Sequence, residues 1–85
     1  MKNNPKPAKM LLVDWMDSAS NPGWKSSDEL QATICLCQTV GFLVLETDAA
    51  LVLALSRGTQ EGYRPYSDLI SIPKVAITRR RIIRA

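Results

Sequence analysis

Between Thr33 and Ser56 the chain reads TICLCQTVGFLVLETDAALVLALS, two apolar runs separated by Glu46-Thr47-Asp48. Short apolar runs on either side of a polar turn predict two strands folded back on each other. In the first run Cys35, Cys37, Thr39 and Gly41 share one parity, and Leu36, Val40, Phe42 and Val44 the other. Leu43 and Leu45 make both faces apolar from Gly41 onward, as in a strand covered twice or sharply bent, and Gly41 is where a bend or bulge belongs. Leu51, Leu53 and Leu55 return against the first run. The alanines and leucines of Ala49–Ser56 also suit a helix, which stays open as the alternative.

The flanking segments extend the pattern. In Lys9–Asp17, Leu11, Val13 and Trp15 alternate on one face of a predicted strand, and Asp14 and Met16 lie on the other. Asp17 and Ser18 begin a turn whose side-chain oxygens are expected to hold Asn21-Pro22-Gly23 in place, a strong turn signal. Trp24 follows at once and is expected to fold back as a plug over one open end, the alternative being an exposed binding aromatic. Ser26 to Gln31 has the cap residues for a short helical turn. Arg57–Asp68 is polar, with two glycines and a proline, and reads as a long loop. There Tyr63 and Tyr66 flank Pro65 beside Arg57 and Arg64, either covering the rim of the core or forming a contact surface. Leu69–Ile72 is a short strand ended by Pro73, Lys74–Ile77 a tight turn, and Thr78–Arg84 a last strand. Its arginines suit a sheet edge, pointing largely outward while Ile77, Ile82 and Ile83 anchor it. The predicted fold is mainly β: a small five-stranded barrel or a strongly bent sheet, with one short helical turn, and the strand, turn and closing strand near Pro73 resemble the end of an SH3-like or Sm-like barrel. Residues 1–8, rich in Asn, Pro and Lys, read as a flexible basic arm, and residues 9–85 as one domain.

Composition narrows the possibilities further. With 85 residues there is room for one core, and 46% apolar residues support a folded globule. The apolar runs fall far short of the roughly 20 residues that span a bilayer. Met10–Val13, cut off by Asp14, is too short for a signal-peptide core, so a cytoplasmic setting is expected. Cys35 and Cys37, one residue apart on a strand, read as two buried or half-buried hydrophobes with poor disulfide spacing. With no His and no further Cys, no zinc site of the usual kind is expected, and no cofactor. The net charge of +3 conceals an asymmetry: Lys2, Lys6 and Lys9 crowd one end and Arg79, Arg80, Arg81 and Arg84 the other, around an acidic middle. Where the ends of a small domain lie close, the two clusters merge into one cationic patch.

Candidate chemistry is sparse. Asp14 and Asp17 fall on opposite strand faces, which is wrong for sharing a proton or a metal. No nucleophile has an evident activating partner and no phosphate-binding glycine motif is present, so an enzyme is not expected. The residues Trp15, Asp17, Ser18, Gly23, Trp24, Val40-Gly41-Phe42-Leu43-Val44, Ile72-Pro73-Lys74 and Ile77 form an order that resembles a group of small uncharacterised proteins of tailed bacteriophages and prophages. That resemblance spans about Leu11 to Ile82 and implies a bacterial or phage setting, with no activity attached. Two functions are carried forward. One is a non-enzymatic module binding a host or phage protein. The other is a small barrel binding nucleic acid or a nucleotide through the arginines. The candidate surface is Trp24, Tyr63, Arg64, Tyr66, Arg79, Arg80, Arg81 and Arg84, no membrane is involved, and the oligomeric state is open.

Overall fold

The computed structural model describes residues 9–60 and 65–83. Five strands, β1 (Met10–Ser18), β2 (Ile34–Glu46), β3 (Ala50–Arg57), β4 (Tyr66–Pro73) and β5 (Ile77–Ile83), form one antiparallel sheet in the order β4-β3-β2-β1-β5. The Ala/Leu-rich run is therefore a strand. A 3-10 turn at Ser27–Glu29 stands where a helical turn is predicted, and a second, Lys74–Ala76, joins β4 to β5. The long polar loop is shorter than its composition suggests, because β3 runs on to Arg57 and β4 begins at Tyr66. Pairs such as Ser56 with Ser67 continue the ladder through polar residues that carry no apolar period.

One connection shapes the sheet. β4 and β5 are its two outer strands, which in a flat five-stranded sheet would lie ~19 Å apart. The three-residue turn between them advances only ~6 Å. The sheet must therefore curl until its edges approach. It does so without a β4–β5 ladder, and of the two predicted forms the strongly bent open sheet is the one found.

Curling encloses a small core. Leu11 and Val13 of β1, Leu51 and Leu53 of β3 and Ile72 of β4 are buried, with Trp15, Leu43, Ile70 and Ile77 packed around them. The inward face of β1 is the predicted one, and the Trp15 indole N–H donates to Thr39 Oγ1 at 2.9 Å. Two expected core residues lie outside. Leu55 and Ile82 are exposed, Leu55 because β3 passes the end of the core at Ala54, and Ile82 because it sits on the outermost strand.

Gly41 is buried, but the irregularity lies beyond it. The β2–β3 register slips between Leu43 and Leu45, so Val44 is the extra residue of a bulge. That slip is what lets Leu43 and Glu46 both take the inner side, opposite Leu53 and Leu51. The glycine answers a different need: a Cβ there would meet the Ala54 carbonyl oxygen at 2.8 Å and the Leu53 Cβ at 3.0 Å. Because the first contact is backbone, Gly41→Ala is expected to destabilise the fold by about 1–3 kcal/mol, read as a lower urea midpoint at unchanged slope. Leu55→Ser, on an exposed side chain, is expected to stay within ~0.5 kcal/mol in the same assay.

Candidate interaction surfaces

β1 pairs with β5 only through Met10–Trp15, and β2 pairs with β3 only from Phe42 to Glu46. Past those limits β1 and β2 pair, among the described residues, only with each other, so Met16–Ser18 and Ile34–Leu36 form a two-stranded finger whose tip is the 19–33 segment. Every residue from 17 to 36 is exposed. Trp24 is 102% exposed, which overturns the expected plug. The Asn-Pro-Gly turn lies at the tip of the finger, away from either open end of the curled sheet, so the indole has nothing to cover. Leu30, Ile34 and Leu36 are exposed along the same finger, and Val40 is exposed on the stretch of β2 that leads to it.

Asp17 and Ser18 do not hold the Trp24 turn. Asp17 Oδ1 accepts from the adjacent Ser18 N–H at 2.7 Å, because β1 continues through both residues and keeps them in the ladder. Asp14, on the outer face, accepts from Gln38 Nε2 at 2.8 Å, which leaves the two carboxylates on opposite faces as expected. Cys35 is exposed, which corrects the expected burial, whereas Cys37 is half-buried as expected. Their register opposite Asp17 and Trp15 places them on the finger, beyond the buried cluster. Both are free thiols, with sulfurs 3.7 Å apart. Partial desolvation, and then the Cys35 thiol beside it, raise the Cys37 thiol above its ordinary range, making it a poor nucleophile at neutral pH.

The cationic end is organised by one carboxylate. Glu46 accepts a salt bridge from Lys74 Nζ at 2.7 Å and from Arg80 at 3.1 Å. Arg80 is paired through Val13 to the level of Thr39, yet its guanidinium reaches Glu46 seven residues further along β2, as only a curled sheet allows. Lys74 N–H also donates to the Ala49 carbonyl at 2.9 Å. Of the β5 arginines, Arg79 and Arg81 share the outer parity, in line with a largely outward cluster, while Arg80 turns inward to Glu46. Met10 pairs with Ile83, so the start of β1 and the end of β5 lie side by side, and Lys9, Glu46, Arg80 and Arg81 line an open groove of about 380 Å³.

The predicted surface is therefore divided. Trp24 is at the finger tip, Tyr66 is half-exposed on β4 beside Arg57, and the arginines lie on β5 at the opposite edge. Tyr63, Arg64 and Arg84 lie outside the described residues. The finger itself was missed; the only hint in the sequence was that β1 and β2 remain apolar on the face opposite the core, through Leu12, Met16, Ile34, Leu36 and Val40. Among the described residues no cluster of three His, Cys, Asp or Glu is placed to hold a metal, and no helix is long and apolar enough to cross a membrane. Comparison with protein-family models, curated proteins and solved structures finds no match.

Glu46 is held below the ordinary glutamate range, first by the hydrogen bond from Lys74; desolvation opposes this, and the hydrogen bond and charge of Arg80 add to the lowering. A carboxylate depressed in the folded state stabilises the fold above its unfolded pKa, and that stability is lost as pH falls through the folded value. Acid unfolding followed from neutral pH to below the usual glutamate range is expected to show this loss. The Glu46→Gln protein should be less stable near neutral pH and flatter across that window, with the two proteins converging at its acid end.

Proposed function

We propose that the protein is a non-enzymatic protein-interaction module, an accessory factor of a bacteriophage or prophage that binds a host protein in the bacterial cytoplasm. The observation that carries this reading is the fully exposed Trp24 at the tip of a finger bearing exposed Leu30 and Leu36. A chain this short has little apolar surface to spare, and an aromatic anchor among aliphatic side chains is the composition of binding hot spots. The phage-like residue pattern supports the setting.

The second reading, nucleic-acid or nucleotide binding, is supported by the outer parity of Arg79 and Arg81 and by the groove that Arg81 lines with Lys9. It is weakened where it was strongest in sequence, because Arg80 is already engaged by Glu46. The two readings part in one experiment: affinity capture from bacterial lysate with wild-type, Trp24→Ala and Arg79→Ala/Arg81→Ala proteins, with and without nuclease. The protein-binding reading expects a discrete nuclease-resistant partner, retained by the arginine variant and lost with Trp24→Ala. Capture that is nuclease-sensitive, falls steeply with salt and is lost only in the arginine variant would replace it with the second reading.

A further inference from the structure

The finger exposes backbone as well as side chains. Leu43 N–H donates to the Lys9 carbonyl at 2.8 Å, which makes Lys9 and Leu43 a hydrogen-bonded pair of the β1–β2 ladder. Such pairs recur at every second residue in an antiparallel ladder. The odd-numbered residues of β2 therefore turn their N–H and C=O groups to β1, and the even-numbered ones turn theirs to the other side. Phe42 uses that side to meet Ala54 of β3. Ile34, Leu36, Gln38 and Val40 have no strand beside them there among the described residues.

An exposed strand edge is ordinarily blunted by a charge, a proline or a bulge. The segment Ile34–Val40, ICLCQTV, has no charge and no proline, and its register with β1 is unbroken. We infer that this edge pairs antiparallel with the same edge of a second copy, forming a two-fold symmetric dimer whose axis passes between the two Cys37 residues. In this register Ile34 pairs with Val40 of the second copy and Leu36 with its Gln38, and all four residues exchange both backbone bonds. Centring the axis on Leu36 strands Val40, and centring it on Gln38 strands Ile34.

Both ends of the seam are already set in the single chain. β2 starts at Ile34, and the next hydrogen-bonding position before it would meet Phe42 of the second copy, which β3 occupies. The midpoint of the open edge, from residue 34 to residue 40, is Cys37. An isologous contact requires such self-complementarity. Charge permits it as well. Each copy is net positive, but the seam is neutral, and the ionised side chains of the strand paired with it, Asp14 and Asp17, lie on β1. Across the axis they would be three strand spacings apart, ~14 Å, beyond a Debye length at physiological salt. On the outer face exposed Ile34 would lie against exposed Val40 of the other copy, twice. The inference is independent of the proposed host partner.

At the axis the two Cys37 residues form a non-hydrogen-bonded pair with Cα atoms about 4.5 Å apart. That lies within the span a disulfide bridges, about 4.4–6.8 Å. Single-thiol proteins therefore report the register. Added diamide takes two electrons and two protons from a pair of thiols and becomes the hydrazine. The Cys35→Ser protein, which retains Cys37, is expected to become a covalent dimer, whereas Cys37→Ser, whose Cys35 faces Thr39 of the second copy, is not. Sedimentation of the reduced full chain is expected to give twice the chain mass. Leu36→Lys and Gln38→Pro place a charge and a missing donor on the open edge and leave the backbone bonds to β1 in place, Gln38→Pro giving up only the exposed side-chain bond to Asp14. Each is expected to give a monomer with unchanged circular dichroism. A reduced wild-type chain that stays monomeric up to its solubility limit overturns the inference, as does a dimer that cross-links through Cys35 but not Cys37, or one that survives both edge variants.

Discussion

The two outer strands of the sheet are consecutive in the chain and are joined by three residues. That constraint does most to shape this protein, since a flat sheet would hold β4 and β5 several times farther apart than Lys74–Ala76 can reach. The sheet curls, and the curl creates an inside for Leu11, Val13, Leu51, Leu53 and Ile72 to fill. Glu46 is placed by the same event. The bulge at Val44 turns it inward, where it meets Lys74 from the connection and Arg80 from the far edge. One carboxylate thus ties β2, the closing turn and β5 together at the place where the curl brings them into reach.

The curl also determines what is left outside. β3 leaves β2 after the Phe42–Ala54 pair, and β5 leaves β1 near Trp15, so the rest of the long β1–β2 hairpin projects as a finger with little else to pack on. Its core-side residues run from Val13 and Trp15 to the thiols Cys37 and Cys35, and its outer side carries Leu36 and Val40 into solvent. The exposed indole, the exposed aliphatics and a backbone edge that no strand of the described residues pairs are therefore one consequence of one geometry. The proposed function draws on the first two, and the proposed dimer on the third together with the exposed Ile34 and Val40.

Much of the fold was legible because its signals are local. Alternation on Leu11, Val13 and Trp15, the polar break at Glu46–Asp48, the proline at 73 and the arginine-rich last strand each specify an element or its place at an edge. What escaped depends on contacts between distant segments. Nothing near Trp24 in the chain tells whether the finger folds back over the core, and Leu55 continues the parity of Leu51 and Leu53 past the point where the core ends. Gly41 was correctly singled out for the wrong reason: its lack of a Cβ admits the Ala54 carbonyl, and the bulge falls three residues later. Of the candidate site, Trp24 is an exposed aromatic as the alternative reading had it, whereas the arginine cluster divides, because strand parity sends Arg80 inward to a carboxylate that no spacing rule connects to it.

The central claim is that β2 carries a ladder on one side and an open edge on the other between Ile34 and Val40. Residue-resolved amide hydrogen exchange on the dilute chain tests it most directly. The account expects slow exchange at Cys37 and Thr39, whose N–H groups face β1, and fast exchange at Leu36, Gln38 and Val40, with those three slowing as concentration rises. Uniform protection along the strand in the dilute monomer, or exchange at the even positions that stays fast at every concentration while the chain dimerises, would contradict it.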